Sequence, residues 1–172
     1  MMNVQTLHNM SISEIIKVLK IEDSVTVDFF KLAHTLKVSV LSRNFEEYKI
    51  KGEKIICAFI TYENGNSCIF YSDDLFENKE YLGRIMIAQT FAKYIITGKN
   101  NFFVTQSTFF SNREKLLTYE MLMPTSQVEY VLDKLILPTT FNLAEIFQVS
   151  QEFLKQRLNE MRVTTLIGGY NF

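Results

Sequence analysis

Two strand-like segments joined at Asn64-Gly65 constrain the fold of this chain more than any other feature. The segment "KIICAFITYENGNSCIFYS" contains two apolar runs separated by "ENGN". An Asn-Gly pair readily adopts the positive φ angles that a tight β-hairpin turn requires. The sequence therefore predicts two adjacent antiparallel strands near the middle of the chain, and the remaining elements must pack around them.

Helical patterns precede and follow this hairpin. Ser11 can cap a first short helix, and Asp28 stands at the start of a second helix with apolar residues at helical spacing. "VSVLSR" adds a strand, and residues 80–96 form an amphipathic helical pattern. Four more helices follow, of which the first two end at Pro124 and Pro138. The order of helices, a small antiparallel sheet and further helices predicts an α+β fold.

Length and composition indicate one compact domain over residues 1–172. Hydrophobic residues make up 47% of the chain, and only 2 Pro and 6 Gly argue against flexible linkers. Within this domain we expect an N-terminal helical extension over residues 1–24 and an apolar tail over residues 164–172. The net charge of -1 gives no general electrostatic attraction to nucleic acid or to anionic membranes.

The sequence shows no recognisable export signal, so the cytoplasm is the expected location. The N-terminal segment "MMNVQTLHNMSISEI" lacks the basic region and long apolar run of an export signal. The most apolar long stretch, residues 82–96, contains Arg84, Gln89 and Lys93, so it is too short and too polar to span a bilayer. The sequence therefore predicts no contact with a membrane.

The polar pair Gln89 and Lys93 is the unusual feature of the helix predicted over residues 80–96. The two residues are four positions apart and share one helix face, which Ile85 and Ala92 continue. One interpretation is an ordinary solvated helix face. The other is that an amide and an ammonium replace residues that had a chemical role.

The order of the elements, with two local signatures, resembles the ImmA/IrrE family of zinc metallopeptidases. In that family a hairpin leads into a helix that reads R-F-T-I-A-H-E-L-G-H-Y, and the corresponding run here is "RIMIAQTFAKY", residues 84–94. The family's later helix has the form E-A-N-x-F-A-x-x-L-L-M-P, and "REKLLTYEMLMP" ends in the same Leu-Met-Pro. The resemblance covers residues 26–163 and implies a zincin-like fold.

The functional positions of that family are all changed in this chain. HExxH chemistry needs two histidine ligands and a glutamate base, and these positions hold Gln89, Lys93 and Thr90. The position of the third ligand holds Arg113, and Glu114 is one residue away. Lys93 has two expected arrangements: an ion pair with Glu114, or a stem that lies across apolar surface while the ammonium reaches water. Glutamine is a poor zinc ligand, and a protonated lysine repels the metal. The resemblance therefore implies a non-enzyme with four vestigial positions, no metal and no cofactor.

Other catalytic or metal sites have little support in the sequence. His8, His34, Cys57 and Cys68 show no recognised ligand spacing, and neither cysteine has a histidine nearby in the sequence to activate it. The spacing of the cysteines permits a disulfide, but two reduced and buried thiols are the better expectation in the cytoplasm.

Without catalytic groups, the chain can act only by binding, which needs apolar area that the core does not use. Two segments, residues 100–112 and 164–172, carry aromatic residues outside any periodic pattern. The predicted partner-binding residues are Phe102, Phe103, Phe109, Phe110, Tyr170 and Phe172. The alternative is that these aromatics belong to the core. Since family members often work with a repressor on phages and mobile elements, the resemblance implies a regulator such as an antirepressor, with a repressor or another regulatory protein as its partner.

Residues 142–162 are similar to a helix-turn-helix and leave DNA binding as the alternative function. Their charges are balanced, whereas a DNA-binding surface usually has an excess of basic residues. The opposing charges are Lys155, Arg157 and Arg162 against Glu145, Glu152 and Glu160. We therefore expect a helical hairpin that closes the domain. An active hydrolase with relocated ligands is a third hypothesis.

Overall fold

The computed structural model describes residues 4–75, 81–136 and 139–162. Three helices come first: α1 (Val4–His8), α2 (Ile12–Val18) and α3 (Phe29–Leu36). Five strands follow: β1 (Val38–Arg43), β2 (Lys49–Ile50), β3 (Glu53–Lys54), β4 (Cys57–Thr61) and β5 (Ser67–Ser72). The remaining elements are α4 (Leu82–Thr97), β6 (Phe102–Val104), α5 (Asn112–Leu122), α6 (Thr125–Lys134), α7 (Thr140–Phe147) and α8 (Gln151–Glu160). This mixture of helices and a small sheet confirms the predicted α+β class.

The main sheet has the strand order β1-β5-β4-β6, and β2 and β3 form a separate antiparallel pair. The predicted hairpin joins β4 and β5, with the N–H of Gly65 donating to the carbonyl of Tyr62 at 2.8 Å. However, β1 is parallel to β5, so the prediction of a purely antiparallel sheet is wrong. The second strand of the hairpin lies between β1 and β4, parallel to β1 and antiparallel to β4, so the sheet is mixed.

Helix α4 covers one face of this sheet and is buried on most of its sides. Phe59 of β4 stacks on Tyr94 of α4, with ring centroids 3.9 Å apart. On the other sides of α4, Phe91 and Ile95 join a core that includes Leu117 of α5. Full burial of a large apolar side chain contributes about 1.5–3 kcal/mol. Because α4 is central to the core, its neighbours fix its position and the direction of its few polar side chains.

The other face of the sheet is covered by residues 44–56, which carry β2 and β3. Ala58 and Phe70 alternate with residues that face α4, and they pack against Phe45 and Ile55 in a second, smaller cluster. This cover explains why both faces of the short central strands are apolar.

Local signals place the ends of several helices where the sequence predicts them. Ser11 caps α2, and the Asp28 carboxylate accepts the N–H of Phe30 at 2.9 Å at the start of α3. Helix α5 ends at Leu122, just before Pro124. Side chains in the first 24 residues also enter the main core: Leu7, Ile15 and Ile21. The first two helices are therefore part of the domain's packing.

Helices α7 and α8 form the predicted pair with a tight break. Gln148 adopts a left-handed conformation (φ 53°) that ends α7, and Ser150 caps α8 by accepting the N–H of Phe153 at 3.1 Å. Among the helices that the structure describes, none is both long enough and apolar enough to cross a membrane.

Candidate functional site

Helices α4 and α5 bring Lys93 and Glu114 together at the position where the resemblance places a metal site. The Lys93 ammonium lies 3.8 Å from the Glu114 carboxylate, and their side chains are 19% and 4% exposed. Glu114 also accepts the backbone N–H of Ser111 at 2.5 Å as part of a capping box. The predicted pairing of Lys93 with Glu114 is confirmed, and it is an internal ion pair.

Lys93 also contacts the loop of residues 105–111 that precedes α5, here called the aromatic loop. Its ammonium donates to the backbone carbonyl of Phe109 at 3.5 Å. It lies 5.3 Å from the ring centroid of Phe110 and 5.9 Å from that of Phe102, which are favourable cation–π distances. One lysine therefore links α4, the start of α5 and residues 105–111.

Gln89, one turn before Lys93 on the same helix, carries a buried polar atom without a partner. Its side-chain oxygen accepts no hydrogen bond from the residues that the structure describes. A buried acceptor in this state costs about 1–3 kcal/mol. Because both Gln89 and Lys93 are largely enclosed, the interpretation as an ordinary solvated helix face does not fit.

Thr90 and Arg113, the other two positions that the resemblance aligns with functional residues of the family, make their hydrogen bonds away from this pair. Thr90 is fully buried and donates to the carbonyl of Met86 at 2.8 Å. Arg113 donates to the carbonyls of Met10 and His8, which tie α5 to the first two helices. The α5 residue that faces Lys93 is Glu114, one position after the one found by counting back from the proline.

The groups that meet here do not fit a zinc ion. A tetrahedral zinc site needs several neutral histidines, thiolates or carboxylates, whereas this position offers one carboxylate, one amide and one ammonium. No cluster of three or more His, Cys, Asp and Glu residues suited to a metal occurs in the described part of the chain. In particular, His8 is engaged with the carbonyl of Ile96 at 2.5 Å.

The two cysteines are separate buried thiols on neighbouring strands. Cys57 lies opposite Tyr71, and Cys68 lies opposite Ile60, so the two are out of register for a disulfide. Burial raises the pKa of Cys57 to about 12 and that of Cys68 to about 11. Both stay protonated near neutral pH and are poor nucleophiles.

A cleft of about 500 Å³ opens beside Gln89, between α4, the start of β4 and the aromatic loop. Apolar side chains form much of its wall: Ile55, Ile56, Leu82, Met86 and Phe110. At its rim the Lys54 ammonium lies 2.8 Å from the Asp74 carboxylate, and this hydrogen bond is the main cause that holds the pKa of Asp74 below its usual range. The cleft therefore combines apolar walls with a charged rim, which suits a peptide or side chain from a partner.

A second rim contact fixes the loop beside the cleft. The Ser107 hydroxyl oxygen lies 2.5 Å and 2.6 Å from the two carboxylate oxygens of Glu53 and donates its one proton to this carboxylate, which lowers the pKa of Glu53. The backbone of residues 105–111 is thus held from one side by Glu53 and from the other by Lys93.

The predicted partner-binding aromatics divide into exposed and buried members. Phe109 is 79% exposed and Phe103 is 45% exposed, so both are available to a partner. Phe102 stacks on Phe59 at 5.6 Å, and Phe110 is only 8% exposed in a cluster with Ile56. Phe110 therefore belongs to the core, as the alternative interpretation expects, and Phe102 is largely packed against it. Tyr170 and Phe172 lie outside the described residues.

The helix pair α7–α8 is fastened to the rest of the domain through Arg157. This arginine is 1% exposed, and it donates to Glu120 at 2.6 Å and to Thr125 at 2.8 Å. Its other terminal nitrogen donates to Glu160 at 2.5 Å. The residue is therefore an internal tie and is not available to a DNA phosphate.

Sequence reasoning missed the walls of the cleft and the role of Lys93 in holding the loop. Leu82 and Met86 lie one turn apart on α4. They carry no chemical signature, and only the position of residues 105–111 shows that they line a cleft.

Comparison of the chain with models of protein families, with curated proteins and with solved structures found no match.

Proposed function

We propose that this chain is a catalytically inactive, ImmA/IrrE-like protein that acts by stoichiometric binding of a protein partner. The observation that carries the proposal is the Lys93–Glu114 ion pair, because the sequence resemblance aligns Lys93 with a metal ligand of the family and an ammonium does not bind a metal. The partner-binding surface would consist of the cleft beside Gln89 and the exposed rings of Phe103 and Phe109.

Hydrolysis lacks its necessary groups at this position. A peptidase of this type needs a Lewis acid and a general base next to the scissile carbonyl. The Lys93 ammonium is paired, the amide of Gln89 is not basic, and Thr90 donates its hydroxyl to a backbone carbonyl. The Glu114 carboxylate is held by Lys93 and by the N–H of Ser111, so none of the described residues at this position offers a free base to activate water.

Binding is supported by the way in which Phe109 is presented. Its ring is exposed while its backbone carbonyl is held by Lys93, and the Lys115 ammonium lies 5.7 Å from the ring centroid. Large aromatic side chains dominate many binding interfaces, and a loop that is already ordered loses less entropy on association. The neighbouring cleft can receive an apolar side chain of the partner.

The resemblance supports a regulatory protein as the partner, such as a repressor. The role would be that of an antirepressor or inhibitor encoded by a phage or mobile element. DNA binding through residues 142–162 is the competing function, and the internal position of Arg157 and the balanced charges of the pair disfavour it. A gel shift that weakens with salt would favour DNA binding.

Site-specific photo-crosslinking tests the proposed surface. We suggest replacing one exposed phenylalanine at a time with a photoreactive analogue, at Phe103 and Phe109 in the proposed surface and at Phe141 on α7 as a matched control. Phe141 is 59% exposed and belongs to the competing α7–α8 surface. Crosslinks to one protein from positions 103 and 109, and none from position 141, are expected. Crosslinks from position 141 alone would reject this surface.

A further inference from the structure

A second cavity, of about 640 Å³, lies where the first turn of α3 meets α4 and the sheet. Its walls are mainly apolar and aromatic, and they include Phe30, Val40 and Ile87. Arg84 of α4 also lines it. The cavity shares none of its lining residues with the cleft beside Gln89, so it is a separate feature of the molecule.

The Arg84 guanidinium is held rigidly in this cavity. It donates to the backbone carbonyl of Val27 at 2.9 Å and lies 4.9 Å from the ring centroid of Phe29. Phe29 in turn stacks on Phe91 of the main core, with centroids 6.1 Å apart. A guanidinium fixed on one side by a carbonyl and on its face by a ring is pre-organised for a ligand.

The charge of Arg84 is not balanced by an ion pair with any residue that the structure describes. Its Nε is buried and has no acceptor among those residues. Asp28 also lines the cavity, but its Oδ1 accepts the N–H groups of Phe30 and Lys31 at 2.9 Å and 3.2 Å, and its Oδ2 lies 3.9 Å from the Lys31 ammonium. Burial lowers the pKa of Arg84, and the charge of Asp28 opposes this shift. Since arginine remains protonated in proteins, the cavity holds a guanidinium that forms no ion pair with any described residue, and the nearby carboxylate of Asp28 is engaged with the first turn of α3.

We propose that this cavity binds a small organic anion, with one carboxylate or phosphate group on an aromatic or aliphatic body. The anionic group would pair with Arg84, and the body would lie against the apolar and aromatic walls. Planar two-pronged recognition of such groups is what a guanidinium does well, and a volume near 640 Å³ is typical of small-molecule sites. This site is independent of the proposed partner-binding surface.

Calorimetric titration of the full chain with three naphthalene probes tests the proposal. Naphthoate should bind at least roughly tenfold more tightly than the neutral naphthamide of the same shape, because only the carboxylate carries a negative charge and two acceptor oxygens for the guanidinium. Naphthyl phosphate shows which anionic group is preferred. Equal affinity of acid and amide, or no binding of either anion at millimolar concentration, would overturn the proposal.

Two variants and one spectroscopic signal locate the binding site. Arg84→Met should abolish the preference for naphthoate over naphthamide, and Arg113→Met should preserve it, because Arg113 also donates to carbonyls but lies outside the cavity. In the unaltered protein, the NMR signal of the Arg84 guanidinium should move with naphthoate and not with naphthamide. This signal needs no variant, so it decides the matter even if Arg84→Met fails to fold. A guanidinium signal that is unchanged at saturating naphthoate would reject Arg84 as the anion-binding group.

Discussion

The ammonium of Lys93 lies 3.8 Å from the carboxylate of Glu114, and both groups are largely enclosed by α4, α5 and the aromatic loop. The Glu114 carboxylate also completes the N-terminal cap of α5, so the same side chain serves the helix and the lysine. The Lys93–Glu114 pair is therefore a structural element that holds residues 105–111 in place.

Removing the charge of Lys93 should destabilise the domain. Lys93→Met keeps the apolar stem but leaves the Glu114 carboxylate without its cation, and we expect a loss of about 1–3 kcal/mol in the free energy of unfolding. The control is Lys31→Met, because Lys31 pairs with Asp28 at 3.9 Å while 86% exposed. Urea unfolding of both variants measures the two losses in the free energy of unfolding. An equal effect of the two substitutions would show that the internal pair contributes no more than a surface pair.

Replacing Gln89 by methionine should stabilise the domain. The substitution removes a buried acceptor that has no partner among the described residues while keeping a similar volume. We expect a gain of about 1 kcal/mol, which corresponds to a rise of roughly 2–4 °C in Tm for a domain of this size. Gln156→Met on the exposed face of α8 is the control for a general effect of methionine. A lower Tm for Gln89→Met than for the control would mean that the amide is already satisfied.

Loss of Arg157 should be the most damaging charge deletion in this set. Arg157→Ala leaves Glu120 buried without its cation, at a cost of about 3–5 kcal/mol. Lys155→Ala, on the exposed side of the same helix, should cost about 1 kcal/mol or less. Thermal melts of both variants test this role. A Lys155→Ala melt as low as that of Arg157→Ala would contradict the assignment of Arg157 as the internal tie.

The buried cysteine thiols should not react with alkylating reagents in the folded protein. Since burial raises the pKa of Cys57 from 9.0 to about 12, iodoacetamide should label it at pH 8 only after unfolding. The stability that the protonated thiol provides is complete below pH 9 and is lost as the pH rises toward 12, because only the unfolded chain releases the proton in that window. Urea midpoints for the parent and Cys57→Ala should converge as the pH increases over that range. Rapid labelling at pH 8 without denaturant would contradict the burial.

Features that depend on neighbouring residues in the chain could be predicted from the sequence. The caps at Ser11 and Asp28, the turn at Asn64-Gly65 and the break before Ser150 all arise from local conformational preferences, and the structure has each of them. The sequence leaves the pairing of Lys93 with Glu114 as one of two alternatives, and the packing of α4 against α5 decides between them.

Features that depend on how separate segments meet could not be predicted. The parallel pairing of β1 with β5 depends on which edge of the hairpin β1 meets and in which direction, and strand patterns carry no signal for either. The exposure of Phe109 and the burial of its neighbour Phe110 depend on how residues 105–111 lie against α4. The position of Arg84 in the wall of a cavity becomes apparent only when α3, α4 and the sheet are placed together.

The most direct test of the central claim is mass spectrometry of the crosslinked partner after incubation with a tenfold smaller amount of this protein, with and without added zinc. We predict that the partner remains intact in both cases, and that the amount captured equals the amount of this protein, one to one. Cleavage of more partner molecules than there are copies of this protein, with or without zinc, would show turnover and contradict the account.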